Sequence, residues 1–151
     1  MFNKMLICLD GSDLAEQILP YATETAQRFD SNVILLRVIP PVSHIAAPGE
    51  PLVVLDSYDH YEKEKKEVPL YLESVVRSLR EKGLKVESVA FEDEPGRGIL
   101  NYARENQVDL IAIATHGRGG LGRAVFGSVA DFILRESHLP MMVIRPRTKE
   151  I

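Results

Sequence analysis

The sequence predicts an α/β protein whose five parallel strands form a single doubly wound, open sheet with helices on both faces. Three observations predict this class. Short apolar runs alternate with longer amphipathic segments along the chain, an order typical of strands joined by helices. Several apolar runs are continuous rather than alternating, as in strands covered on both faces. The length of 151 residues predicts one domain, residues 1–151, with a sizeable core.

The first predicted strand is the apolar run at residues 5–9, which ends at Asp10-Gly11-Ser12. Ser12 is a good N-cap for a following helix. Apolar residues recur along one face of that helix: Leu14, Ile18, Ala22, Ala26 and Phe29. Pro20 lies inside it and has no backbone N–H, so we expect a kink there.

The remaining elements repeat this alternation. Residues 32–39 are predicted as a second buried strand that Pro40 stops, and residues 40–56 as a long, mobile connection. Residues 57–82 form a long amphipathic helix that ends at Gly83, with Pro69 as an interior irregularity. The rest are a strand at 84–91, a helix at 95–106, a strand at 109–115, a helix at 124–136 and a strand at 141–144.

Charge and cysteine content restrict the partners. Eighteen Lys and Arg against 22 Asp and Glu give a net charge of −4, which argues against broad affinity for nucleic acid or anionic membranes. The apolar run at 5–9 is too short for a signal peptide or a membrane span. Cys8 is the only cysteine, so we expect a cytoplasmic protein without disulfides.

A glycine-rich loop between the fourth strand and the next helix is the strongest functional signal. Its glycines are Gly117, Gly119, Gly120, Gly122 and Gly127. Glycine lets backbone N–H groups approach an anion, and the helix start adds unpaired donors. Ser128 supplies a hydroxyl donor, and Arg118 and Arg123 could form charge-assisted hydrogen bonds. The composition therefore favours a phosphate site, and a ligand-free surface turn is the alternative.

Two familiar phosphate motifs do not fit. Gly117-x-Gly119-x-x-Gly122 has the letters of the dinucleotide fingerprint, but that motif should follow the first strand, with an acid ending the second. Gly122-x-x-x-x-Gly127-Ser128 resembles a Walker loop without its lysine. P-loop hydrolysis is therefore not expected.

The spacing Ala114-x-x-Gly117, nine residues, then Gly127-Ser128 does match a known loop. With Leu6 to Ser12, Leu35 to Ile39, Thr115 to Leu121 and Pro140 to Ile144, it resembles the ATP-binding branch of the universal stress protein family, whose loop reads G-x2-G-x9-G-S/T. The resemblance spans essentially the whole chain. Ala114 replaces the first loop glycine, which a β-region backbone tolerates.

The resemblance implies a Rossmann-like sheet of strand order 3-2-1-4-5 and a homodimer paired through the last strand, residues 141–144. An uncovered apolar edge strand independently favours such pairing. The implied nucleotide-binding residues are Cys8, Leu9, Asp10, Val38, Ile113, Ala114, Thr115, Gly117, Arg118, Gly119, Gly127, Ser128 and Val129. Arg37 stands where many relatives have histidine, and we expect it beside the pocket rather than inside it.

Several of these residues have a structural alternative. Asp10 could form an Asx turn before the helix, Val38 and Cys8 could be ordinary core, and Ser128 could be a plain N-cap. No histidine spacing suggests zinc.

We expect an ATP-binding stress or signalling module that hydrolyses slowly or not at all, because neither a general base nor a phosphate lysine is evident. AMP is an alternative ligand, and Mg²⁺ could be held indirectly through Asp10 or Ser128. Two other functions stay open: a weak ATPase or nucleotidyl transferase, and a scaffold whose loop binds nothing.

Overall fold

The structure is a computed structural model that describes residues 1–42, 53–115 and 127–147, the side chains of 53–57 excepted. Within these ranges, strands and helices alternate along the chain. They are β1 Lys4–Cys8, α1 Asp13–Glu16, α2 Leu19–Phe29, β2 Asn32–Ile39, α3 Val53–Glu81, β3 Lys85–Glu92, α4 Pro95–Glu105, β4 Leu110–Ala114, α5 Ser128–Glu136 and β5 Met141–Ile144.

The strands form one parallel sheet of order β3-β2-β1-β4-β5. The predicted fold class and strand order are confirmed. β1 is the central strand and pairs with β2 on one side and β4 on the other. The strand order reverses at β1: β2 and β3 lie on one side of it, and β4 and β5 lie on the other. The carboxyl ends of β1 and β4 therefore flank the point where open α/β sheets bind ligands.

Two apolar layers cover the sheet, which explains why β1 is apolar on both faces from Met5 to Cys8. Met5 and Ile7 pack into the layer that contains Ala22 of α2 and Leu72 of α3. Leu6 and Cys8 point the other way, into the layer that contains residues of α4 and α5. Successive strand residues face opposite layers, so a strand covered on both faces needs apolar side chains throughout.

Pro20 does not kink a continuous helix, and this prediction was wrong. The segment is two helices, α1 and α2, separated at residues 17–18. Pro20 occupies the first turn of α2, where a missing N–H costs nothing because that donor has no partner within the helix. Phe29 is also not core: it is 42% exposed and packs edge-on against Phe2, with ring centroids 5.0 Å apart.

The long helix begins earlier than predicted. α3 starts at Val53, so residues 53–56 are helical rather than part of a connection, and the rest of that connection, 43–52, lies outside the described residues. Pro69 lies inside α3 as predicted. β3 begins and ends one residue later than predicted, and of the helix predicted at 124–136, residues 124–126 also lie outside the described residues.

Across the described ranges, no helix is both long and apolar enough to cross a membrane.

Candidate functional site

A cavity of about 310 Å³ lies at the carboxyl edge of the sheet. Its walls come from the ends of β1, β2 and β4 and from the first turns of α4 and α5. Nine of the thirteen predicted site residues line it: Cys8, Leu9, Asp10, Val38, Ile113, Ala114, Gly127, Ser128 and Val129. Thr115 does not line it, and Gly117, Arg118 and Gly119 lie outside the described residues.

The prediction missed seven lining residues: Ala15, Leu36, Arg37, Pro40, Pro95, Ile99 and Ala130. Most are small or apolar and carry no chemical signature in the sequence. Pro95 and Ile99 were assigned to the helix at 95–106, but only the packing of that helix brings its first turn to the cavity. A larger groove, of about 670 Å³, lies between α2 and α3, but this groove is not at the strand ends.

The end of β2 leaves main-chain groups facing the cavity. Leu9 N donates to Leu36 O at 2.9 Å, and Asp93 N donates to Ile39 O at 3.1 Å. The main-chain groups of Leu36 therefore point toward β1, and those of Ile39 point toward β3. Because successive strand residues point in opposite directions, the N–H and C=O of Val38 also point toward the side of β1.

No strand neighbour meets those groups in the described part of the chain. β1 ends at Cys8, and the chain turns away at Gly11, whose φ of +84° suits glycine. Val38, which lines the cavity, thus presents one donor and one acceptor side by side at its edge.

The start of α5 forms another wall of the cavity. Residues 127–130 all line it, and Gly127, the N-cap, supplies no side-chain hydrogen bond. The starts of α1 and α4 are capped: Ser12 accepts from Ala15 N at 3.1 Å, and Glu94 accepts from Arg97 N at 2.9 Å. Among the described residues, no side chain caps α5. Because its first residues line the cavity, its first N–H groups and its partial positive charge are available to a ligand there.

Asp10 forms an Asx turn, the structural alternative that the sequence offered, and it also lies at the cavity. Its Oδ1 accepts from Ser12 N at 2.9 Å and from Ser12 Oγ at 2.6 Å, which is an Asx turn. The same residue lines the cavity. The turn therefore holds a carboxylate at the cavity wall.

Cys8 and Thr115 contribute structure rather than reactivity. Burial raises the pKa of the Cys8 thiol to about 12, so Cys8 presents a neutral, weakly nucleophilic wall. Thr115 N donates to Ile144 O at 2.9 Å, and its hydroxyl lies 3.3 Å from the same oxygen. Thr115 thus joins the ends of β4 and β5.

Arg37 is nearer the site than expected. It lines the cavity, and its guanidinium forms a half-buried ion pair with Glu64 of α3. Next to this pair, the Tyr61 hydroxyl donates to Glu92 at the end of β3. Together these contacts hold α3 against the ends of β2 and β3. Among the described residues, no group of three or more His, Cys, Asp or Glu could hold a metal ion.

Sequence comparison identifies the family to which a chain with this fold and cavity belongs. The family model described as the universal stress protein family matches residues 1–145. The chain therefore belongs to the universal stress protein family. Among curated relatives, universal stress protein YxiE of Bacillus subtilis is 32% identical over 148 residues, covering 96% of this chain and all of the relative. Universal stress protein MJ0531 of Methanocaldococcus jannaschii is 30% identical over 150 residues, covering 99% of this chain and 86% of the relative.

Solved structures share the whole architecture. Hypothetical protein MJ0577 matches with a TM-score of 0.79 and 25% identity, covering 99% of each chain. A universal stress protein from Archaeoglobus fulgidus in complex with dAMP matches with a TM-score of 0.62 and 21% identity, covering 95% of this chain and 99% of that one. At 21% identity, the second match shows that the fold is shared.

Proposed function

We propose that this protein binds an adenine nucleotide, ATP in particular, in the cavity at the carboxyl edge of the sheet. One observation carries the proposal. A single cavity joins the unmatched main-chain groups of Val38 to the uncapped start of α5. The first suits the edge of a base and the second suits a phosphate, so one nucleotide can satisfy both.

The Val38 end favours adenine over guanine. Adenine presents an acceptor (N1) beside a donor (N6), which pair with a main-chain N–H and C=O. Guanine presents the reverse order at the same edge, O6 as acceptor and N1–H as donor. Leu36, Ile99 and Ile113 add apolar surface, as is usual around a ring system in a ligand pocket. A universal stress protein of the same fold holds dAMP, which supports an adenine ligand.

The α5 end suits the phosphates. Ser128 adds its hydroxyl to the helix N–H groups, and the sequence assigns Gly117, Arg118 and Gly119 to the same end of the ligand. We place Mg²⁺, when it accompanies the nucleotide, near Asp10 or Ser128, whose oxygens suit a hard cation.

We propose slow or absent hydrolysis. Asp10 is the one carboxylate among the described residues that line the cavity, and one of its oxygens is already engaged by two hydrogen bonds from Ser12, so that oxygen is not available to take a proton from an attacking water. The protein then acts as a single-domain stress-response or signalling module in the cytoplasm. Binding of ATP alters either the segment at 40–56 or the assembly of the protein with other copies of itself. A Mg²⁺-dependent turnover above about 1 s⁻¹ that Gly127→Val abolishes would instead favour a weak ATPase.

We also propose a homodimer that pairs through β5. β5 is an edge strand of the sheet, and all four of its residues are only partly covered in the single chain. A second copy would cover both its apolar side chains and its unpaired main-chain groups.

Native mass spectrometry and calorimetry test the nucleotide proposal. Gently purified protein should carry an adenine nucleotide, and ATP should bind the emptied protein. We expect Gly127→Val to weaken ATP binding by about 100-fold or more and Ser128→Ala by about tenfold, since valine puts bulk where an N–H must approach phosphate. Glu136→Ala, exposed in the last turn of α5, is the control and should bind normally.

A folded Gly127→Val protein that binds ATP as tightly as the wild type would show that the site is misplaced. No co-purifying nucleotide, and no thermal shift with millimolar ATP, would favour the scaffold function.

A further inference from the structure

We infer that Gly98 is a positioning residue for the base end of the cavity. It touches no ligand itself. Its missing side chain lets the first turn of α4 lie against Val38, and this contact fixes where Val38 presents its main-chain groups. The inference rests on the proposed nucleotide function and adds a determinant of its base specificity.

Space at Gly98 is closed on three sides. A Cβ built on Gly98 would lie 3.0 Å from Val38 Cγ1, 3.0 Å from Asp93 Cβ and 3.2 Å from Phe91 Cε2. Carbon atoms at ordinary contact lie about 3.5–4.0 Å apart. Asp93 Cβ is fixed to the main chain, so it cannot swing aside.

The remaining two neighbours differ in how they can yield. The Phe91 ring is stacked on Tyr102 of the same helix, with ring centroids 5.9 Å apart, so it has a neighbour behind it. Val38 has the cavity beside it. A methyl group at residue 98 would therefore displace Val38 toward the cavity, into the place of the base.

The helix around Gly98 also builds the cavity wall. Pro95 and Ile99, one turn apart on α4, line the cavity, and Gly98, which lies between them in the chain, is buried. Gly98 lies in a helix, where glycine costs about 1 kcal/mol relative to alanine. A close approach to Val38 is a physical reason for glycine at this position.

The test is the preference for ATP over GTP, measured by calorimetry on the full chain. The two nucleotides share ribose and triphosphate, so the ratio of their affinities reports the base end alone. We expect Gly98→Ala to weaken ATP binding by about tenfold, through a lost main-chain hydrogen bond, and to reduce the ATP preference by a similar factor. Asn101→Ala, exposed one turn later, is the matched control and should change neither.

A double-mutant cycle shows whether Val38 transmits the effect. Val38→Ala removes the Cγ1 atom that the new methyl would meet but keeps the main chain. In that background, Gly98→Ala should change the ATP preference less than twofold. If Gly98→Ala alone does not fold, recovery of a folded protein in the Val38→Ala background would show that the new methyl group meets Val38, and failure to recover it would overturn the inference.

Two results overturn the inference while leaving the proposed function intact. One is wild-type ATP preference in folded Gly98→Ala. The other is a tenfold loss that persists in the Val38→Ala background. Wild-type protein that binds no ATP would overturn both the proposed function and this inference.

Discussion

At the scale of single residues, Cys8 shows how position decides chemistry. The same thiol that would titrate near pH 9 in an open chain has its pKa raised to about 12 by burial in β1. Below about pH 9 it is protonated in both the folded and the unfolded protein, so it adds no pH dependence. Above that, the unfolded chain loses the proton first, and the free energy of unfolding falls as pH rises toward 12.

We therefore predict that Cys8→Ala flattens the alkaline loss of stability. Between pH 8 and pH 10.5, the free energy of unfolding in urea should fall by about 2 kcal/mol more in the wild type than in the variant. Tyr71, whose pKa burial also raises, is present in both proteins and cancels in the comparison. Parallel losses in the two proteins would contradict the prediction.

At the scale of elements, two prolines in helices have opposite consequences. Pro20 lies in the first turn of α2, where no intrahelical donor is lost. Pro69 lies within α3 and is exposed, so it makes no core contact. Because it has no N–H, it cannot donate to the carbonyl of Lys65, and its ring crowds that carbonyl.

We expect Pro69→Ala to raise the free energy of unfolding by about 1–3 kcal/mol. Pro20→Ala, the matched control, should lower it by less than about 1 kcal/mol, through the greater entropy of the unfolded chain. Urea unfolding of both variants measures this difference. A Pro69→Ala protein less stable than the wild type would mean that the conformation which Pro69 imposes on α3 is needed for packing.

The same elements show how far the sequence pattern could be trusted. β5 was predicted with the observed bounds, because proline and polar residues flank a short apolar run. The two helices after β1 were merged, because Leu14, Ile18 and Ala22 keep a helical spacing across the break at residues 17–18. Periodicity reports which residues face the core, and two successive helices on one face satisfy it as well as one.

At the scale of the whole molecule, the free edge of β5 can be blocked without disturbing the sheet. Ile111 N donates to Pro140 O at 3.1 Å, and Thr115 N donates to Ile144 O at 2.9 Å. Alternate residues of β5 therefore face β4, and the N–H and C=O of Val143 point to the free edge. Proline at Val143 would remove an outward donor only.

We predict that Val143→Pro converts the proposed dimer to a folded monomer in analytical ultracentrifugation. The control is Ala90→Pro on β3, the other edge strand. Since Ile39 accepts from Asp93, Ala90 also points its N–H outward, so Ala90→Pro should leave the assembly unchanged. A Val143→Pro protein that still sediments as a dimer would place the interface elsewhere.

The sequence by itself determined the alternation of strands and helices and the covered sheet, because these follow from local patterns: continuous apolar strands and helical spacing. The strand order and the candidate site residues came from the motif spacing that the sequence shares with the universal stress protein family. Only the tertiary structure decided the rest. Three features depend on contacts between segments that are distant in the chain. Arg37 lines the cavity and pairs with Glu64, Thr115 bonds to Ile144, and Gly98 lies against Val38. Such contacts are set by how the helices pack on the sheet, and no local sequence pattern reports which distant residues this packing brings together.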